Sequence, residues 1–456
     1  MGNKEILHLY WRAGFGLQPK QLQELAIKNK QEIIDDLFEK SKPIIPLEKD
    51  LSYLKNYPKS ILKDNREKRI ELARKNADET KKLNIIWLKR LAKTDNILRE
   101  RMTLFWANHF VCRDMATKFI LKYNNVLRTH ALGNFRDFLK AITREASMIK
   151  YLNLNLNKKD NPNENFAREL LELFTLGEGN YTEDDIKECS RAFTGYNHNF
   201  EGEFILRRFQ HDYGHKSFFG EEGNFNGDDV IDIILKQKQC ARHICKKIYR
   251  YFINEKINES YLEELVSVFY KNYEIEELMR YIFSTDWFYG KENIGVKIKS
   301  PVELIIGIQR LIPVYFTKDE ELLRLQRLLD QYLLDPPNVA GWKGGKDWIT
   351  SNSLVLRIKL PSMMLEEESY SYKTKGNFRN FRIVPVKNKY QQKLSVYVDW
   401  KVYKKRMKKL TLSELKSALI LCEINDGTKR YISKFGRRPS KKNLVNLMSL
   451  PEYQMC

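Results

Sequence analysis

Between residues 161 and 177, apolar and charged positions separate at helical spacing. At about 100° per residue, Phe166, Leu170, Leu173 and Phe174 fall on one side, and Glu164, Asn165, Arg168, Glu169 and Glu172 on the other. Pro162 suits the first position of a helix, where its missing N–H is an orphan in any case, and Gly177 suits the stop. The pattern predicts a short amphipathic helix that carries three carboxylates, one guanidinium and one amide on its polar face.

The same periodicity runs along most of the chain. Residues 4–16 predict a short apolar helix with His8, Trp11 and Arg12, stopped at Gly14-Phe15-Gly16. Helices are also expected over 19–40, 60–112 and 119–151, the last interrupted at Gly133. Thr182 and Asp185 have the spacing of a capping box and predict a helix to Phe193, stopped at Gly195. From Phe200 to Phe219 the texture changes to short alternation punctuated by glycines, as in a hairpin insert. Asp228 or Asp229 is expected to cap the next helix, 239–253 to form another, and further helices to fill 258–335. Residues 336–352 read as a loop, 381–386 and 394–400 as strands, and 411–424 and 439–449 as helices. The predicted fold class is mainly α, a large multi-helix domain with small β-hairpin insertions. It divides into a helical core over 1–370, with the insert near 197–222, and a basic segment over 371–456 packed on that core.

Composition narrows the class. The 456 residues are 42% hydrophobic and 12% aromatic, enough for a sizeable core. No apolar run approaches the ~18 residues that span a bilayer, and the first residues lack an apolar signal core, so the expected location is cytoplasmic. The six cysteines form neither a disulfide framework nor a zinc ribbon, and Cys240 and Cys245 are expected as buried small hydrophobes. The formal charge is +21, and residues 371–456 hold 21 basic and five acidic residues. That segment, with Tyr397, Trp400 and Tyr403 among its cations, offers phosphate contacts and stacking surfaces for nucleic acid. Lysine outnumbers arginine 52 to 28, however, which suits a solvated surface better than phosphate recognition.

Several blocks resemble the bacterial family of the domain of unknown function 1800. They are His8-Leu-Tyr-Trp-Arg-Ala-Gly-Phe-Gly16, Arg101-Met-Thr-Leu-Phe-Trp-Ala-Asn-His-Phe110 and Asn163 to Gly177. Arg191-Ala-Phe-Thr-Gly-Tyr196, Gln210 to Gly220, Lys247-Ile-Tyr-Arg-Tyr-Phe252, Pro336 to Trp348 and Ser449 to Gln454 continue the series in family order. The resemblance implies one large helical unit and no particular reaction. It also implies a partner, since relatives often lie beside genes for a secreted protein resembling sulfatases and alkaline phosphatases; some relatives look exported.

Within these blocks, His109 and His211 together with Glu169 and Glu172 compose a mixed imidazole–carboxylate set that would suit a divalent metal such as Zn, Mn or Fe. The competing reading makes His109 a hydrogen-bonded core histidine and Glu164–Arg168–Glu172 a ladder of surface ion pairs. Without metal, Glu169, Glu172 and His211 could exchange protons while Arg168 and Lys216 hold an anionic substrate. No G-x-S-x-G elbow is present, and His211-Asp-Tyr-Gly-His215 is not the H-E-x-x-H zinc motif. Gly341 to Trp348 lacks the order of a phosphate loop and is expected to be a turn anchored by two indoles. The reading taken is an enzyme, metal-dependent and hydrolase-like, at this carboxylate/histidine site. A non-catalytic binding or assembly protein, or nucleic-acid binding through the basic segment, is the alternative.

Overall fold

The computed structural model describes residues 1–366, 393–408 and 410–456; the expected strand at 381–386 and Lys409 lie outside the described residues. Helices dominate. The described strands form three two-stranded antiparallel sheets: β1 (Tyr196–His198) with β2 (Phe204–Leu206), β3 (Lys216–Phe218) with β4 (Glu221–Gly223), and β5 (Val314–Phe316) with β6 (Val396–Val398). Their registers set Tyr196 opposite Leu206, Lys216 opposite Gly223 and Val314 opposite Val398. The chain divides into two compact units, one of residues 29–293 and 332–342, the other of residues 1–28, 294–331 and 343–456.

The first unit holds the candidate residues. Its central helix, Ile97–His109, is buried on nearly every side, so its polar residues must find partners inside. Glu100 and Arg128, both fully buried, pair at 2.7 Å, and the Trp87 indole N–H donates to Glu100 at 3.3 Å. Trp106 donates from its indole to the Ala131 carbonyl at 3.1 Å and meets Phe138 edge-on, 5.2 Å between ring centres. At the end of this helix the Asn108 side chain bonds both the N–H and the carbonyl of Trp342, at 2.7 and 3.1 Å. Gly341 is required there: its φ is +82°, and a Cβ would stand 2.3 Å from the Asn108 side-chain oxygen.

In the second unit, helices Asn3–Arg12, Pro301–Leu311 and Ser351–Leu365 accompany the β5–β6 pair and the C-terminal helices. Lys299, fully buried, donates to the Tyr453 carbonyl at 2.6 Å and lies 3.9 Å from the ring centres of Trp11 and Tyr453. Of the aromatic residues read as stacking surfaces, Tyr397 is exposed, Tyr403 is buried, and Trp400 lies under the Lys441 ammonium at 4.4 Å. Tyr403 is therefore part of the packing, because its ring closes the helix Trp400–Met407 onto its neighbours rather than facing solvent.

Most predicted elements form. Thr182 and Asp185 make the capping box that starts Glu183–Ala192, at 2.8 and 3.1 Å. The cap before residue 230 is different: Asn226 accepts from the N–H groups of Asp228 and Asp229, because a neutral amide oxygen one residue before the helix reaches both orphan donors. The two aspartates instead occupy the first turn, where negative charge complements the helix dipole.

Candidate active site at an irregular helical turn

The segment expected as one regular helix is an α-helix at Asn165–Glu169 that widens into a π-helix at Leu170–Thr175. Pro162 lies outside it, in the preceding loop, while Gly177 ends it with φ +85°. The Leu171 carbonyl accepts from Leu176 and Gly177, five and six residues on, at 2.8 and 3.2 Å. Widening the turn rotates the side chains within it away from α-helical positions. Phe166, Leu170 and Phe174 are buried as expected, but Leu171 takes the buried place foreseen for Leu173, which is half-exposed.

The last carbonyls of a helix have no partner within it. Here they are met by side chains from two other helices. The Leu173 carbonyl accepts from Lys247 at 2.7 Å and from His243 Nε2 at 3.2 Å; the Phe174 carbonyl accepts from His109 Nε2 at 3.1 Å. A carbonyl can only accept, so the proton of each neutral imidazole sits on Nε2. His109 Nδ1 is then free to accept, and the Lys247 ammonium lies 3.3 Å from it. Burial, with the Lys247 charge behind it, holds His109 well below the ordinary histidine range. The same causes bring His243 down to about 4, and burial brings Lys247 down to about 8. Three side chains from two helices far away in sequence thus converge on the π turn.

The carboxylates lie on the polar side of the same segment. Glu172 accepts from the Tyr181 hydroxyl at 2.7 Å. The Glu169 side chain is half-buried and its carboxyl enters no hydrogen bond or ion pair among the described residues; burial and the Glu172 charge raise its pKa, against a smaller lowering by Arg168. Burial raises the Tyr151 hydroxyl, with Arg113 opposing and Glu169 adding to the rise; Arg113 pairs with Asp335 at 2.6 Å. Arg168 grips Glu183 at 3.0 and 3.2 Å and sits 3.7 Å from Glu164, so the expected same-face pair is present as the weaker of two.

His211 is buried elsewhere in the unit, with Nδ1 2.8 Å from the Thr194 carbonyl. Next to it, Asp212 receives the Arg191 guanidinium at 2.8 and 3.4 Å, and Lys216 donates to the carbonyls of Asp212 and Gly214. This set fastens the insert onto the helix Glu183–Ala192. The structure therefore brings Glu169, Glu172 and Arg168 together and sets His109 with Lys247 and His243. None of the hydrogen bonds of His109 or His211 among the described residues reaches Glu169 or Glu172. Also among the described residues, no three His, Cys, Asp or Glu side chains gather closely enough to hold a metal ion. Sequence reasoning missed Lys247, His243, Tyr181 and Tyr151. Lys247 opens a family-like block and stands four residues after His243, a spacing that places both on one helix face; Tyr151 left no signal.

The model of one family, described as proteins of unknown function (DUF1800), matches residues 8–455, and the chain belongs to that family. No curated protein and no solved structure matches it. Among the described residues no helix is long and apolar enough to cross a membrane.

Proposed function

We propose that this DUF1800 chain is an enzyme of hydrolase type in which Glu169 gives and takes the proton, Glu172 is its fixed charged neighbour and Arg168 faces the negative part of the substrate. The observation that carries this reading is the unequal treatment of two carboxylates three residues apart. Glu172 is tied to the Tyr181 hydroxyl, while the Glu169 carboxyl is drawn out of water with no partner among the described residues and a raised pKa. Environments that push neighbouring carboxyls apart are how one fold obtains an acid and a base at one pH. His109 and His211, expected as ligands or bases, each bond a backbone carbonyl, and this reading gives them a supporting part. Among the described residues no three ligand side chains gather, so the reading is written on the chain's own proton-carrying groups.

The test is a carboxyl titration by NMR, with Glu169 identified by the signal lost in Glu169→Gln. Glu169 should titrate above the exposed glutamates, and Glu172→Gln should bring it down. A panel of carboxyl, phosphate and sulfate esters and glycosides then supplies a substrate, whose turnover should vanish in Glu169→Gln with folding intact. A Glu169 that titrates with the surface glutamates, or turnover that survives Glu169→Gln, overturns the reading. A stoichiometric metal in the purified protein would return the metal-centred alternative to first place.

A further inference from the structure

The insert carries side chains that the proposed chemistry leaves unused. Phe209, in the turn Arg208–Gln210, is 93% exposed, so its ring stands off the surface. Arg207 and Arg208 precede it, both exposed, and neither enters an ion pair among the described residues. Of the acidic residues nearby, Glu201 is paired with Lys118 and Asp212 with Arg191, while Glu203, hydrogen-bonded to the neutral Asn199, keeps its charge at the opposite end of β2 from Arg207. A second loop runs alongside, because the N–H of Lys159 donates to the Gln210 carbonyl at 2.9 Å. It adds the exposed Lys158 and Lys159, and Leu156, 52% exposed, just precedes them. Against these four cations the two loops set one exposed carboxylate, Asp160.

We propose that this ridge docks on an anionic lipid surface, with Phe209 entering the headgroup region and Arg207, Arg208, Lys158 and Lys159 pairing with lipid phosphates and carboxylates. A protruding aromatic ring needs a matching pocket in a protein partner but none in a bilayer, where the interface admits it directly. Long basic side chains keep their charged ends at the headgroups while their stems lie on apolar surface. Juxtaposed cations draw the ridge toward anionic lipid over about a Debye length.

The test is flotation of the full chain with phosphatidylcholine vesicles, with and without phosphatidylserine. The chain should float only with phosphatidylserine and lose binding as salt rises. Arg207→Glu with Arg208→Glu should weaken binding about tenfold or more. Phe209→Ser should weaken it severalfold at every salt concentration, because burial of a ring is not screened. All three residues are exposed, so circular dichroism should be unchanged. The control is Lys404→Glu with Lys405→Glu, two exposed lysines in the basic C-terminal part. An equal loss in that control would show attraction by net charge alone and overturn the assignment. So would binding to phosphatidylcholine without phosphatidylserine, no binding at low salt, or a self-association that Phe209→Ser abolishes, which would make a second copy the occupant.

Discussion

The π turn and the hairpin insert belong to one compact unit and treat charge in opposite ways. At the turn, Lys247, His109, His243 and Glu169 are pulled from water, and each is displaced from its ordinary titration range toward its neutral form. In the insert, Arg207 and Arg208 stand in water beside an exposed ring. Desolvation makes a group's proton negotiable, which is useful for chemistry. Exposure leaves a charge whole and able to attract, which is useful for recognition. The contrast holds only if the turn is rigid core, and the largest expected effect tests that. Leu170 is buried at the head of the π segment, so Leu170→Ala should cost ~2–5 kcal/mol in urea unfolding. A cost below about half a kcal/mol would mean that the turn is loosely packed and that its displaced titrations have no structural basis.

How much of this could be read in advance depends on where each partner sits. The Thr182–Asp185 box and the stop at Gly177 were legible, because both are set by residues a few positions apart. The mainly helical class was legible for the same reason, summed over many segments. The π turn was not. Leu171 and Leu173 are equally apolar, so nothing local decides which is buried. The wider turn is met by Lys247, His243 and His109, which lie 65 to 74 residues away in sequence. His109 and His211 stand out in the sequence as candidates, but an imidazole that caps a carbonyl and one that binds a metal look alike there. The unpaired state of Glu169 was equally hidden, since Arg168 beside it had a choice of partners and Glu183, not visible from helical spacing, took it.

A pH profile sharpens the comparison further. His243 falls from 6.5 to about 4 on folding, so the unfolded chain takes up its proton first. Stability from this group is complete above the unfolded value and drains away as pH falls from about 6.5 to 4. Lys247, at about 8 in the fold, acts in the same direction at the other end: stability rises as pH goes from about 8 to 10.5. Glu169 opposes the first of these, since a raised carboxyl favours the fold on the acid side. Comparing urea midpoints at pH 4.5 and 7 should therefore show a weaker protein in acid. His243→Asn should recover about 1–2 kcal/mol of that difference, allowing for the partial exposure of the ring. An acid sensitivity unchanged by His243→Asn would remove the imidazole from the account.

The smallest effect is the most discriminating. Arg168 is about two-fifths exposed, as is Glu164, and Glu183 is more so. Ion pairs of this kind contribute ~0–1 kcal/mol, so Arg168→Ala should leave the unfolding midpoint almost where it was. Its effect on Glu169 is another matter. The guanidinium partly offsets the push from burial and from Glu172, so its removal should raise the Glu169 pKa, whereas Glu172→Gln should lower it. Two substitutions on one helix face, neither costly to the fold, should thus move one carboxyl in opposite directions. That pair of signs arises because Glu169 is held between a like and an opposite charge. If both variants move it the same way, or neither moves it, Glu169 is insulated from its neighbours and cannot be the proton carrier proposed for this turn.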